Sequence, residues 1–357
     1  MSLPSAPTNI LLIQLGDIGD VVLTTPSIRA LRETYPQAHV SILVSKPYGS
    51  LLKSDPNICE VVEIVRTRGS LLHRLREFIT FAKYIRHKNY GLVIDLRTGD
   101  RGAILSFLTG AAIRVGCHGN KNQFWHNYCY TTILSNLQAA PLPAHPGADQ
   151  SLRILRKLGI DTSDSIPKLN IAPETGLAAA ALLSTVGIAS GGRFISINPF
   201  SRWKYKEWSN QKWGEVIDRI WEVHHIPSVI IGSIEEAADC QSILEGREAR
   251  TFSLAGKTTL AELAAVISMS SLHLGVDSAA PHIAAALGTP TLTIHGPTDW
   301  RAWRIVDALH QVVSPNMSCL PCNRTGCEGS GRSKCLDELT TEPVTHIALG
   351  LLAAAPT

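Results

Sequence analysis

The sequence has no apolar run of about 18 residues, because Gly, Pro or a charged residue interrupts each run earlier, so we expect no membrane-spanning helix. The N-terminal segment lacks the basic residues that open a secretory signal, and its apolar run is typical of a first strand. Eight cysteines in 357 residues are too few for a secreted disulfide scaffold. These absences predict a cytoplasmic protein in a reducing compartment.

Charged residues are also sparse: they make up 18% of the chain, whereas hydrophobic residues make up 45%, which is a globular composition. The net charge of +3 is too small to indicate binding of nucleic acid. The two halves differ, since residues 1–175 hold 19 basic and 13 acidic side chains and residues 176–357 hold 14 and 17. The basic first half predicts an anionic partner for that half.

Short apolar runs rich in Val and Ile alternate with amphipathic stretches along the chain. Such runs are typical of parallel strands buried on both faces, with helices between them. The predicted strands are 9–15, 39–44, 60–65, 91–96, 114–117, 193–199, 227–233, 272–277 and 291–295. The series runs twice, which predicts an α/β protein of two doubly wound domains, 1–175 and 176–340, with a boundary near 170–190. The last segment, 341–357, is predicted as a helix that packs back on the first domain.

A glycine-containing turn, LGDIGD at 15–20, follows the first predicted strand. Its glycines allow a tight turn and a close approach of a ligand, but the G-x-G-x-x-G spacing of dinucleotide-binding proteins is absent. Gly19 and Asp20 lie at the mouth of the turn. Two interpretations of Asp20 stay open, a helix cap and a group that acts on a bound ligand.

Two segments of the second half indicate an anion site. The loop NPFSRWKYKEW at 198–208 is basic and follows the first strand of that half, which suits a phosphate-bearing ligand, although most basic loops are only solvated. Further on, a buried strand ends at Asp277, and small residues then begin a helix whose free N–H groups favour an anion. The residues at this helix start are Ser278, Ala279, Ala280 and His282.

These and other motifs occur in an order that resembles one known family. They are the first strand with its GD turn, TTPSIRALRETYP, the K-x-W…W pattern that begins at Lys206, IGSIEE at 231–236, LAGKTTLAEL at 254–263, and D-S-x-x-x-H-x-A-A-A-L-G followed by GPTD. Together they resemble the ADP-heptose:lipopolysaccharide heptosyltransferases, glycosyltransferase family 9. The resemblance spans about 9–300, nearly the whole chain.

The resemblance implies a GT-B fold of two Rossmann-like domains with the active site in the cleft between them. The first domain would bind the lipid A-core acceptor, and the second would bind the donor, ADP-heptose. Asp20 matches the general base, with Gly19 on the acceptor side, and Lys206 matches the basic residue near the diphosphate. Transfer would invert the anomeric carbon. The implied donor-binding residues are Ser201, Arg202, Lys206, Glu235, Glu236, Asp277, Ser278, Ala279, Ala280 and His282, with either glutamate as the ribose contact.

The chain departs from the family pattern at three positions. Gln14 stands where many members carry Arg or Lys, which weakens the expectation of an acceptor contact there. Ala279 replaces a common Gly, and Ser209 replaces a common Pro. No D-x-D occurs in the chain, so a metal-bridged diphosphate is not expected, and Lys206 with the helix start at 278–280 must balance the leaving-group charge.

Several alternatives stay open. The protein could use another nucleotide sugar or glycan acceptor, or it could be a sugar-nucleotide epimerase of similar fold. Cys319, Cys322, Cys327 and Cys335 could hold a structural zinc ion or remain free thiols. The basic stretch 66–88 could be a core-packed helix, or it could dock on the anionic inner face of a membrane.

Overall fold

The chain folds as two units, Met1–Asn170 and Ile171–Thr357, so the division falls at the start of the predicted boundary region. The computed structural model describes residues 7–65, 69–117, 123–140, 143–304 and 307–354. The first three residues of the predicted basic stretch 66–88 lie outside this description.

Within the described residues, the first unit contains one parallel sheet with the order β3-β2-β1-β4-β5-β6. This order, with the first strand central, is that of a doubly wound Rossmann-like sheet. The strands are β1 (Asn9–Gln14), β2 (His39–Ser45), β3 (Glu60–Ile64), β4 (Leu92–Asp95), β5 (Ile113–Cys117) and β6 (Thr132–Leu134). The helices are α1 (Ile18–Leu23), α2 (Thr25–Thr34), α3 (Leu71–His87), α4 (Asp100–Thr109), α5 (His126–Cys129) and α6 (Pro146–Arg156).

The register of the central strands decides which turns of this unit become neighbours. Strand β1 is buried from Ile10 onward because helices cover both faces of the sheet. Ile13 of β1 pairs with Asp95 of β4. Because parallel strands end at the same edge, the turns that follow β1 and β4 lie side by side at the carboxyl edge of the sheet.

The second unit repeats the design over the ranges described above, with the sheet order β12-β11-β10-β7-β8-β9. Its strands are β7 (Ile195–Asn198), β8 (Ser228–Ile230), β9 (Thr251–Ser253), β10 (Leu272–Val276), β11 (Thr291–Ile294) and β12 (His310–Val313). Its helices are α7 (Pro173–Thr185), α8 (Asn210–His224), α9 (Gln241–Leu244), α10 (Leu260–Met269), α11 (Ala280–Ala286), α12 (Lys334–Glu338) and α13 (Thr341–Ala354).

The C-terminal helix α13 belongs to the second unit, which corrects the prediction that it packs back on the first domain. Its apolar face, with Val344, Ala348 and Leu352 buried, lies against α8 and against β10, β11 and β12. The segment was correctly predicted as a helix, but a local helical pattern does not identify the sheet that its apolar face covers.

All nine predicted strands are present, and β6, β9 and β12 are additional. These three lie at sheet edges, have only three or four residues, and are partly exposed. An edge strand has a neighbouring strand along only one of its two edges, so it is partly exposed to solvent and needs no continuous apolar run. For that reason the apolar pattern does not reveal them.

Helix α3 lies within the predicted basic stretch 66–88, and it packs against the core near its C-terminal end, through Ile85 and the partly buried Phe81. Ile85 is its one residue in the fully buried class, and Leu71 and Leu72 are 80% and 81% exposed. None of the helices that the structure describes combines the length and the apolar character needed to cross a bilayer.

Candidate functional site

In the first unit, the candidate site is centred on Asp20 in the turn between β1 and α1. Asp17 is the N-cap of α1, and Asp20 is the third residue of the helix. The Asp17 N–H donates to Oδ2 of Asp20 at 2.9 Å, which forms one half of a capping box. The cap interpretation of Asp20 therefore describes a real contact, and this contact occupies one of the two carboxylate oxygens.

The second oxygen of Asp20 faces a cation that the sequence analysis did not single out. Nη1 of Arg97, in the turn after β4, lies 3.0 Å from Oδ1 of Asp20. Burial raises the pKa of Asp20, while Arg97 and the Asp17 N–H oppose that rise only in part. The result is a desolvated carboxylate whose pKa is above its ordinary value, which suits a proton acceptor.

Two neighbours shape the space around Asp20. A Cβ on Gly16 would collide with the Asp20 carboxylate, so Gly16 is needed for the position of this side chain. Gln14 is buried and donates to Oγ1 of Thr24 at 2.8 Å, while its carbonyl oxygen accepts from the Gly16 N–H. Gln14 therefore supports the turn from inside the unit.

In the second unit, the candidate site is centred on Lys206 and Asp277. Lys206 ends a short 3-10 helix, Lys204–Lys206, and Asp277 follows β10. Nζ of Lys206 lies 2.7 Å from Oδ2 of Asp277, and both side chains are less than one-fifth exposed. The structure thus joins two predicted donor-site residues that lie 71 positions apart.

A directed chain of hydrogen bonds leads to Asp277 from inside the unit. Nε of Arg304 donates to Nε2 of His295 at 2.7 Å. Since arginine carries only donors, the proton of the neutral imidazole is on Nδ1, which lies 3.4 Å from Oγ1 of Thr298. The Thr298 hydroxyl donates in turn to Asp277 at 2.7 Å. This chain fixes the GPTD turn against the Lys206–Asp277 pair.

The charges of this cluster follow from its burial. Burial and the Arg304 guanidinium lower the pKa of His295 to about 3, so the imidazole is neutral. Burial would raise the pKa of Asp277, but the cations of Lys206 and Arg304 hold it well below its ordinary value. Asp277 is therefore a carboxylate that neutralises Lys206 in this structure.

The other predicted donor-site residues occupy loops at the carboxyl edge of the second sheet. Ser278 donates to Oδ1 of buried Asn198 at 2.9 Å, which ties the end of β10 to the end of β7. Helix α11 begins at Ala280, with Ala279 as its N-cap and His282 in its first turn. The helix start has the predicted place, although the helix is only seven residues long.

The remaining candidates differ in exposure. Ser201 is buried, and its N–H donates to Glu207 at 2.9 Å, whereas Arg202 is exposed. Glu236 is partly buried and accepts from the Ser233 N–H at 2.7 Å, whereas Glu235 is exposed. The two glutamates therefore differ in exposure, and which of them contacts the ribose of the donor stays a prediction.

None of the four C-terminal cysteines forms a disulfide bond in the structure. Cys335 is buried, and burial raises its thiol pKa to about 11. In the described part of the chain, no group of three or more His, Cys, Asp or Glu side chains is arranged to hold a metal ion. The zinc site stays a prediction, which the metal content of the purified protein would measure.

The model of glycosyltransferase family 9 (heptosyltransferase) matches residues 78–331. The chain belongs to this family. As a family 9 member it is a glycosyltransferase, which confirms the resemblance predicted above and decides against the epimerase alternative.

Individual relatives agree with this assignment. Lipopolysaccharide heptosyltransferase 3 of Escherichia coli is 29% identical over 292 residues, which cover 80% of this chain and 83% of that protein. A family 9 glycosyl transferase from Veillonella parvula DSM 2008 has a TM-score of 0.82 at 24% identity, covering 99% of each chain. ADP-heptose lipopolysaccharide heptosyltransferase II of E. coli has a TM-score of 0.77 at 19% identity, covering 97% and 98%. These likenesses confirm the GT-B fold.

Sequence reasoning missed Arg97, His295 and Arg304. Arg97 had a usable signal, since it follows a buried strand predicted to end at the same sheet edge as the Asp20 turn. His295 and Arg304 had none, because a buried histidine and arginine in an irregular segment do not differ in pattern from structural residues.

Proposed function

We propose that this glycosyltransferase moves heptose from ADP-heptose to the inner core of lipopolysaccharide, with inversion at the anomeric carbon. The observation that carries the proposal is a desolvated carboxylate, Asp20, at the carboxyl edge of the first sheet of a family 9 chain. The similarity to lipopolysaccharide heptosyltransferase 3 over most of the chain supports the donor and acceptor classes.

The first unit would supply the base. In inverting transfer, the acceptor hydroxyl attacks the anomeric carbon and the bond from that carbon to the diphosphate oxygen breaks. The hydroxyl proton goes to a carboxylate within reach, and Asp20 is the group proposed for this role. Its raised pKa places its basicity closer to neutral pH than that of an ordinary aspartate.

The second unit would bind the donor. Lys206 would contact the diphosphate, and the backbone N–H groups at 278–280 would add a second contact. Because Asp277 neutralises Lys206 in this structure, the diphosphate must compete with that carboxylate for the ammonium. The leaving diphosphate carries more negative charge in the transition state than in the bound donor, so the Lys206 contact strengthens as the bond breaks.

Helix α3 supports the proposal of a membrane-bound acceptor. Its exposed apolar residues lie on the same helix as basic side chains, a combination typical of helices that bind at an anionic lipid surface. The exposed apolar residues are Leu71, Leu72, Leu75, Phe78 and Ile79, and the exposed basic residues include Arg74, Arg76, Lys83 and Arg86. We propose a cytoplasmic protein that binds peripherally to the inner membrane through this helix.

The test is a transfer assay. The purified protein is incubated with ADP-heptose and truncated lipopolysaccharide, and the product is analysed by mass spectrometry and by NMR of the new anomeric centre. We expect the product to carry one added heptose whose anomeric configuration is inverted relative to the donor. We also expect turnover to be undiminished in EDTA, because the chain has no D-x-D to hold a metal–diphosphate complex. If ADP-heptose supports no transfer to any inner-core acceptor while another nucleotide sugar does, the proposed donor is wrong.

A further inference from the structure

The contact between Arg97 and Asp20 has a geometry that bears on the acceptor. The turn that carries Arg97 is anchored by hydrogen bonds to Asp95, which is fully buried at the end of β4. Oδ1 of Asp95 accepts from the N–H groups of Arg97 and Thr98, at 3.0 and 3.2 Å. Oδ2 accepts from the Tyr130 hydroxyl at 2.6 Å. The backbone of Arg97 is therefore fixed beside the Asp20 turn.

The guanidinium of Arg97 has donors to spare. Arginine carries five N–H groups in a planar fork. In the described part of the chain, Asp20 is the one side chain that accepts a hydrogen bond from this guanidinium, through Nη1. The Arg97 side chain is 50% exposed, whereas that of Asp20 is 18% exposed. Arg97 can thus keep its contact with Asp20 while another anion binds its outer N–H groups.

We propose that Arg97 is a positioning residue that holds the Asp20 carboxylate and at the same time binds an anionic group, a carboxylate or a phosphate, on the acceptor. This inference rests on the proposed function of Asp20. Its consequence is that one side chain sets the distance between the acceptor's charge and the base, which directs one particular hydroxyl toward Asp20.

The charge of Arg97 has a second effect, on the basicity of Asp20. Among the residues that the structure describes, the charged groups that perturb Asp20 are Arg97, which lowers its pKa, and Asp17, which raises it. When an acceptor anion also binds the guanidinium, the Arg97 charge lowers the pKa of Asp20 less, so Asp20 becomes a stronger base than in the free enzyme. Acceptor binding would therefore activate the base.

The test compares Arg97→Gln with the wild type on three acceptors: truncated lipopolysaccharide, the same material dephosphorylated, and the same material with its carboxyl groups reduced. For the wild type, we expect one of the two treated acceptors to have a KM about tenfold higher than the untreated acceptor, and the treatment responsible identifies the anion. Arg97→Gln should already have that higher KM with the untreated acceptor, and treating the acceptor should change its KM little further. Equal losses for both enzymes on both treated acceptors would overturn the proposal.

The pH profile of kcat gives a readout that a merely structural role would not move. Transfer needs Asp20 deprotonated, so activity falls on the acid side of its pKa. Removing the guanidinium raises that pKa, so the acid limb of Arg97→Gln should move to higher pH, and Arg97→Lys should restore part of the shift. An unmoved acid limb would also overturn the proposal. Arg101→Gln, an exposed arginine of α4, is the matched control.

Failure of this inference and failure of the proposed function give different results. If Asp20→Asn keeps wild-type turnover, the general base is wrong whatever Arg97 does. Binding of the three acceptors without donor, measured by titration calorimetry, tests the Arg97 contact independently of turnover. Weaker binding of untreated acceptor by Arg97→Gln supports the contact, and equal binding overturns it.

Discussion

At the scale of single residues, the Asp20 carboxylate can serve both as a helix cap and as the proposed proton acceptor. One oxygen completes a capping box, and the other pairs with Arg97. A helix that starts at the edge of a parallel sheet needs its first N–H groups satisfied, and an acidic residue in its first turn also complements the helix dipole. The local stability of the turn therefore does not compete with the chemistry proposed for Asp20.

Asp20→Asn separates the two roles. Asn keeps the shape and can still accept the Asp17 N–H, but it cannot take a proton, so we expect turnover to fall roughly a hundredfold to ten-thousandfold. Affinity for ADP should not change, because the donor is proposed to bind the second unit. Steady-state kinetics and ADP titration check both. Turnover within a few-fold of wild type would rule out the general base.

The matched control is Glu262→Gln. Glu262 is the third residue of α10, and its carboxylate accepts from the Thr259 N–H at 2.7 Å in the same capping-box geometry. It reports what the loss of a capping carboxylate does on its own. Thermal melting of both variants should show similar small shifts, while only Asp20→Asn loses turnover.

Lys206→Ala tests the donor side against a neighbour on the same short helix. Lys206 faces partly buried Asp277, whereas Lys204 is exposed and pairs with Asp239 and Glu207, each at 3.1 Å. We expect Lys206→Ala to weaken ADP-sugar binding and lower kcat, and Lys204→Ala to change either by less than threefold. Titration calorimetry and initial rates make the comparison. Equal effects of the two variants would place the diphosphate elsewhere.

At the scale of elements, α3 departs from the usual helix of a doubly wound unit. Such a helix normally buries an apolar stripe against the sheet. Here residues 71–80 are all exposed, and the helix contacts the core near its end, through buried Ile85 and partly buried Phe81. Exposed apolar residues at this density are typical of a surface that binds an apolar partner, and the basic residues among them favour the anionic lipid surface proposed above.

Two variants of α3 separate the contributions of charge and apolar contact. Arg74→Glu with Arg76→Glu should lower binding to anionic vesicles at least tenfold, since each basic residue near such a surface contributes about 1 kcal/mol. Leu72→Ser with Leu75→Ser should lower binding to anionic and neutral vesicles alike. Co-sedimentation with phosphatidylglycerol and phosphatidylcholine vesicles measures both.

The control for this series is Arg219→Glu on α8, a 58% exposed arginine in a surface pair with Glu222. It changes the net charge as each α3 reversal does, but on the second unit. If it reduces vesicle binding as much as one α3 reversal, overall charge and not α3 drives binding. If the leucine variants instead change the oligomeric state, α3 is an interface between copies of the chain.

At the scale of the whole molecule, two buried histidines link stability to pH. Burial lowers the pKa of His273 and of His295 to about 3. Both are neutral in the folded chain at pH 5, while in the unfolded chain they bind protons below about 6.5. The unfolded state thus binds more protons, so the free energy of unfolding should fall as the pH drops from about 6.5 toward 3.

His273→Asn tests this linkage through the slope of the stability curve. Asn can keep a hydrogen bond to Ser196, which lies 2.9 Å from Nδ1 of His273, but it does not titrate. Each uncompensated proton contributes about 1.4 kcal/mol per pH unit, so the variant should show a shallower decline in urea unfolding between pH 6 and 4. Exposed His346→Gln on α13 is the control variant, and a wild-type slope in His273→Asn would contradict the assignment.

The sequence by itself determined the two doubly wound sheets, their central strands, the helices between them and the place of Asp20 at the first turn. These follow from local patterns, because apolar runs, helical spacing and turn residues act over a few positions. The ordered motifs also sufficed to identify the family, since each is a short segment with its own geometry.

Only the tertiary structure decided which distant residues meet. Arg97 reaches Asp20 across 77 positions because β4 pairs with β1, and Lys206 reaches Asp277 across 71 because β10 pairs with β7. The unit that α13 covers and the exposure of α3 were likewise decided by packing. Strand order and packing depend on the free energy of the whole fold, which no local pattern contains.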